Sequence, residues 1–139
     1  MQADEFVRRV QVQAKIATGD AALKVIEASL ETLGERIRRD VRQDLAAQLP
    51  DQLKAYLNKR QETTRFDLEE FYNRVAGRSD LGLPAAILQS QAVIDVLQQA
   101  VSPGQLQDIR RQLPAEYEEL FSGEPYGPNS PAASVEGSA

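Results

Sequence analysis

The stretch "QDLAAQLPDQLKAYL" at residues 43–57 returns, with most of its apolar and turn-forming positions intact, as "QDIRRQLPAEYEELF" at residues 107–121. Proline lacks a backbone N–H, disfavours helix at the residue before it, and holds a φ that suits the first turn of a new helix. Leu49-Pro50 and Leu113-Pro114 therefore predict corners, each ending one short helix and starting the next, with the leucine buried at the bend. Gln48 and Gln112 are placed to bond an otherwise orphaned backbone group there.

Working outward from these corners, an offset of 64 residues lays Leu23 on Ile87, Leu30 on Ile94, Leu33 on Leu97, Ile37 on Val101, Leu45 on Ile109 and Leu49 on Leu113. An offset of 65 lays "EFVRRV" at 5–10 on "EFYNRV" at 70–75. Matching blocks in the same order read as an internal duplication, residues 4–61 and 67–122. The periodicity is helical nearly throughout, and period-two β-branched runs are missing. Phe6, Val10, Ala14 and Ala17 mark one helix; Leu23 to Ile37 mark a second; Val41, Leu45 and Leu49 a third; Leu53, Tyr56 and Leu57 a fourth. The expected fold is all-α: about eight helices in two pseudo-symmetric repeats, packed as one domain over 1–122 because each repeat alone buries its stripe poorly. The long helices, near 20–38 and 84–101, fall at its centre. Residues 123–139, rich in Pro, Gly, Ser and Ala, read as a flexible tail.

Asp67 with Glu70, and Ser102 with Pro103 and Gln105, carry the signature of helix N-termini closed by capping boxes. Ser90, which stands where the first copy has Ile26, reads as a hydroxyl bonded back to its own helix.

The order F-x-x-R-V, then an amphipathic helix ending L-x-x-x-[IV], then Q-D-[LI]-x-x-Q-L-P and a short helix, twice over residues 4–121, resembles the bacterial domain-of-unknown-function family numbered 2267. The resemblance implies an all-helical two-repeat fold, loosely globin-like in helix arrangement. It brings no activity, substrate or catalytic residue with it.

Composition narrows the chemistry. The chain has no cysteine and no histidine, which removes thiolate nucleophiles, disulfides, most zinc sites and the commonest general base. Its net charge of −5 argues against nucleic-acid binding, which needs a basic face. No segment has the roughly 20 apolar residues of a membrane span, and the N-terminus lacks an apolar signal core, so a cytoplasmic protein is expected. Charge is uneven: residues 1–65 carry +2 and residues 66–139 carry −7. Opposed halves can steer a protein partner or promote head-to-tail self-contact as a homo-oligomer.

Four arginines, Arg36, Arg38, Arg39 and Arg42, fall within "ERIRRDVR", and guanidinium groups clamp phosphate or carboxylate bidentately. The second copy has "AVSPGQL" in their place, so the fold does not demand them. Glu116, Glu118 and Glu119 read as a helix start and exposed neighbours, and Asp44 and Asp108 recur at matching positions near helix starts. No glycine-rich phosphate loop, catalytic residue, metal set or cofactor pattern is found. The expectation is a non-catalytic interaction or regulatory module, not an enzyme, with Arg36, Arg38, Arg39 and Arg42 as its partner-binding residues. The alternative is a carrier or sensor holding a small apolar ligand between the repeats.

Overall fold

The computed structural model describes residues 1–125, and these are helical without strands. The order is α1 (Ala3–Ala14), α2 (Gly19–Arg36), α3 (Arg39–Ala46), α4 (Asp51–Leu57), α5 (Leu68–Ser79), α6 (Leu83–Ala100), α7 (Pro103–Gln112), a 3-10 turn (Ala115–Tyr117) and α8 (Glu118–Ser122). α1 and α5 are both 12 residues long, and α2 and α6 both 18. Gly123 closes α8 in the left-handed region, at φ 75°. Most of the expected tail, residues 126–139, lies outside the described residues.

The centre is a four-helix arrangement in which α1 and α5 each pack on both long helices, α2 and α6, while those two pack on each other. α4 lies along α2, α8 along α6, and α3 meets α7. Phe6, Val10, Leu30, Leu33, Phe71, Val75, Ile94 and Leu97 are fully buried there. Removing stripes of this kind from water is the main favourable contribution to folding. Tyr117 closes one end, its ring edge-on to Phe71 at 6.0 Å and 89°.

Both Leu-Pro corners form as expected. Pro50 and Pro114 sit in extended backbone directly before α4 and the 3-10 turn, and Leu49 and Leu113 are buried. The glutamines do bond orphaned backbone groups, but not at their own corner. Gln48 Oε1 accepts from Ser102 N at 2.8 Å, and Gln112 Oε1 accepts from Arg38 N at 2.7 Å. Ser102 and Arg38 are the N-cap residues of α7 and α3, so each corner satisfies the helix start in the opposite half of the chain. Gln48 makes a second bond, Nε2 donating to Ser102 Oγ at 3.2 Å. Gln48→Ala and Gln112→Ala are each expected to cost about 1 kcal/mol, with Gln48→Ala the costlier of the two. Urea midpoints measure this, and a Gln48 variant that melts like its parent would show the crossing bonds to be idle.

Some local expectations need correction. The first helix stops at Ala14, because Lys15 turns into the left-handed region at φ 55°; Ala17 is therefore off the helix and exposed. Asp67 does cap α5, accepting from Glu70 N at 2.9 Å, and Ser102 caps α7 through Gln105 N at 3.2 Å. Neither return bond forms. Glu70 instead turns to Arg74 at 2.8 Å, and Gln48 already satisfies Ser102 N. Ser90 is fully buried and donates to Ile87 O at 3.1 Å, as expected.

Candidate functional site

The four arginines do not form one cluster, because α2 ends before extended residues Ile37 and Arg38 and α3 then starts in a new direction. Arg42 is buried and donates to Gly34 O at 3.1 Å and Gln61 O at 3.2 Å. Burial, with repulsion from Arg39, pulls its guanidinium below the usual value. It works as a peg holding the linker after α4 against the end of α2. Arg36 is also buried, its Nε donating to Phe66 O at 2.8 Å and its guanidinium 5.3 Å from the centre of the Tyr117 ring. Arg38 and Arg39 are exposed. Arg38 Nε reaches Asp40 at 3.3 Å, and Arg39 has no ion pair among the described residues.

Where the sequence cluster disperses, the fold assembles a different arginine set. Arg36 and Arg38 share a cleft of about 490 Å³ with Thr63, Arg65, Gln112, Leu113 and Pro114. Arg65 and Thr63 come from the segment joining the two halves, and Gln112 to Pro114 are the second Leu-Pro corner. No carboxylate lines this cleft. Neither Arg36 nor Arg65 is ion-paired among the described residues, while Asp40 draws Arg38 Nε toward the neighbouring groove. Thr63 is tied down, its hydroxyl donating to Ile37 O at 3.2 Å. Sequence reasoning missed Arg65 and Thr63, which carry no local pattern.

The adjoining groove, about 360 Å³, brings together Asp44 and Asp108 with Arg38, Asp40, Arg111 and Gln112. The recurrence of the two aspartates thus has a spatial meaning. Both are exposed, and Arg111 lies 3.8 Å from Asp108. The glutamates after Pro114 are not simply exposed neighbours. Glu116 Oε1 accepts from Leu68 N at 2.8 Å at the start of α5, and Glu119 Oε2 accepts from the Tyr72 hydroxyl at 2.8 Å. Glu118 pairs with Arg110. Burial raises the Tyr72 phenol well above its ordinary value, which keeps it a hydrogen-bond donor. No group of three or more Asp or Glu that could hold a metal occurs among the described residues.

A second charged feature lies between α2 and α5, with Glu31 and Glu35 buried and Lys59 and Arg60 half-exposed. Glu31 and Glu35, one turn apart on α2, face Arg74 and Arg78, one turn apart on α5. Arg74 meets Glu35 Oε2 at 2.9 Å, and Arg78 meets Glu35 Oε1 at 3.0 Å and Glu31 Oε2 at 3.3 Å. Arg60 and Lys59 close on Glu31 from the other side at 2.8 and 3.4 Å. The network counts four carboxylates, Glu27, Glu31, Glu35 and Glu70, against four cations, so it is neutral. A charge-balanced set of this kind supports a structural role, with Glu35 Oε1 held 3.0 Å from Arg78 as an ion pair without an aligned hydrogen bond.

The molecule is thus an all-helical bundle with a neutral ion-pair network between α2 and α5 and an arginine cleft that no carboxylate lines. That architecture carries a family assignment. The chain belongs to the family described as "Uncharacterized conserved protein (DUF2267)", whose model matches residues 3–120. It matches none of the curated proteins compared with it. No described helix is long and apolar enough to cross a membrane.

Proposed function

We propose that the protein is a non-catalytic interaction or regulatory module of the cytoplasm, built by duplication of one four-helix unit, that receives an acidic segment of a protein partner on its arginine face. Support for the duplication comes from the matched helix lengths and from paired contacts. Arg74 bridges Glu70 and Glu35, while Arg9 bridges Glu5 and Gln99 at 3.0 and 2.7 Å. The observation that carries the functional reading is the cleft itself: three guanidinium groups line one concave surface with no carboxylate among them. Side-chain burial and pairing account for Arg36 and Arg42, and Asp40 pairs with Arg38, but neither accounts for the exposed Arg39 and Arg65. Exposed cations without carboxylate partners attract acidic surface over about 10 Å at moderate salt. The two clefts that share Gln112 are lined largely by Arg, Asp and Gln, which favours charged occupants there over a small apolar ligand.

Charge reversal tests this. Arg38→Glu, Arg39→Glu and Arg65→Glu combined should leave the helical circular-dichroism spectrum unchanged, since none of the three holds the fold. The triple variant should also lose capture of the specific partner from native-cell extract at modest ionic strength. Retention of every specific partner by a folded triple variant would remove this face from the account.

A further inference from the structure

We propose that the arginine cleft binds a phosphoryl group. The inference rests on the arginine face being a contact surface and names the chemistry it recognises. It comes from comparing the two glutamines of the Leu-Pro corners. Gln48 spends its carbonyl on Ser102 N and its amide on Ser102 Oγ, so both ends are satisfied. Gln112 spends its carbonyl on Arg38 N. That bond fixes which way the amide faces, because a backbone N–H needs an acceptor. At the matching position there is now an arginine rather than a serine, so Gln112 Nε2 has no hydroxyl to meet. It is buried without a hydrogen-bond partner among the described residues. A buried amide donor left unmade costs stability.

The same exchanges that orphan this donor supply the charge beside it. Where the second half has Ala100 and Ser102, the first has Arg36 and Arg38, and Arg65 comes from the connecting segment. Gln112, Arg36, Arg38 and Arg65 line one cleft with no carboxylate in it. Arg36 is held in place by Phe66 and by the Phe66 and Tyr117 rings, so its position does not have to be ordered on binding. Three guanidiniums exceed what one carboxylate, with a single charge and two oxygens, can satisfy. A phosphate monoester brings nearly two negative charges and three acceptor oxygens. The volume of about 490 Å³ leaves room for the group that carries it.

Two sources share this chemistry: a phosphorylated side chain of the partner, and a free phosphate ester. The probes are inorganic phosphate and O-phosphoserine, titrated into the full chain at mildly alkaline pH, above the second ionisation of both, with glutamate as the carboxylate control. The readout is the ¹⁵N–¹H signals of the Gln112 amide and the arginine Nε groups. Saturable shifts of Gln112 and Arg38 with both phosphates, and much weaker ones with glutamate, are expected. Arg65→Ala should weaken binding about tenfold. Arg38→Ser is the sharper variant. It restores the serine cap, so the thermal midpoint should hold or rise while phosphate binding falls. Non-saturating shifts spread over all surface cations, or equal phosphate affinity in Arg38→Ser and the parent, would overturn the assignment.

Phosphatase treatment of the extract before capture separates the sources. Loss of capture identifies a phosphorylated partner, and undiminished capture with a phosphate titration at Gln112 identifies a free ester. Undiminished capture without that titration leaves the contact surface standing and removes the phosphoryl group. Titration at Gln112 with capture indifferent to charge reversal does the opposite.

Discussion

Gly34→Ala is expected to destabilise the protein by about 3 kcal/mol, although alanine is the better helix former by about 1 kcal/mol. A Cβ built on Gly34 falls 2.0 Å from Leu57 O and 3.0 Å from Leu57 C. Both obstacles are backbone, so no rotamer change relieves them. α4 would have to lift from α2, breaking the seat of the fully buried Leu53 and Leu57 and loosening Arg42, which donates to Gly34 O. The matching position in the second half shows the other solution: Gln98 stands there and donates its Nε2 to Phe121 O at 2.9 Å. One half meets its last helix through close backbone approach, the other through a side-chain bond. Gly77→Ala is the control. It lies in α5 with nothing within 4 Å of an added Cβ, so it should stabilise by about 0.5–1 kcal/mol. Guanidinium unfolding of the two variants against the parent checks both signs. A Gly34→Ala protein as stable as the parent would mean that α2 and α4 do not pack this closely.

The Leu-Pro corners and the two long helices were legible because their causes are local: a missing N–H, a fixed φ and a stripe of three- and four-residue steps. What was not legible was what the corner glutamines meet. Gln48 and Gln112 act across 54 and 74 residues of chain, and no local spacing encodes that. The arginine run misled for a related reason. Read as one helix end, it is a single patch; broken at Ile37 and Arg38, it sends Arg36 and Arg42 inward and leaves Arg38 and Arg39 outside. The family resemblance reached the fold but carried no site residue, and Arg65 surfaced only once the joining segment had a place. Glu31 and Glu35 did leave a signal. Two glutamates one turn apart on the helix that carries Leu30 and Leu33, and two arginines one turn apart on α5, are matched pairs waiting for a relative orientation that only packing supplies.

Glu31→Ala is expected to cost about 1–2 kcal/mol, between the values for exposed and for buried ion pairs. Only 3% of the Glu31 side chain is exposed, but its partners Arg78, Arg60 and Lys59 are 20%, 50% and 51% exposed, so water takes up part of the loss. Glu35 cannot replace Glu31, being already engaged by Arg74 and Arg78. Arg78 would also lean harder on Thr32, whose hydroxyl accepts from it at 2.9 Å while donating to Ala28 O. The same network gives the protein an acid-sensitive element. Burial by itself would raise the Glu35 carboxyl, but hydrogen bonds and charge from Arg78 and Arg74 outweigh it and hold the group below its ordinary 4.5. A carboxyl depressed in the folded state contributes stability that is fully present above its unfolded value and is lost as pH falls through the folded one. The Glu35 contribution is therefore intact at neutral pH and disappears below 4.5. Glu35→Gln removes the charge but keeps the shape. It should be less stable than the parent at neutral pH, and its disadvantage should shrink as acid protonates the parent's Glu35. Thermal midpoints of parent and Glu35→Gln recorded from neutral to strongly acidic buffer test this. Parallel curves with a constant gap would show that the α2–α5 contact depends on shape and hydrogen bonds rather than on charge.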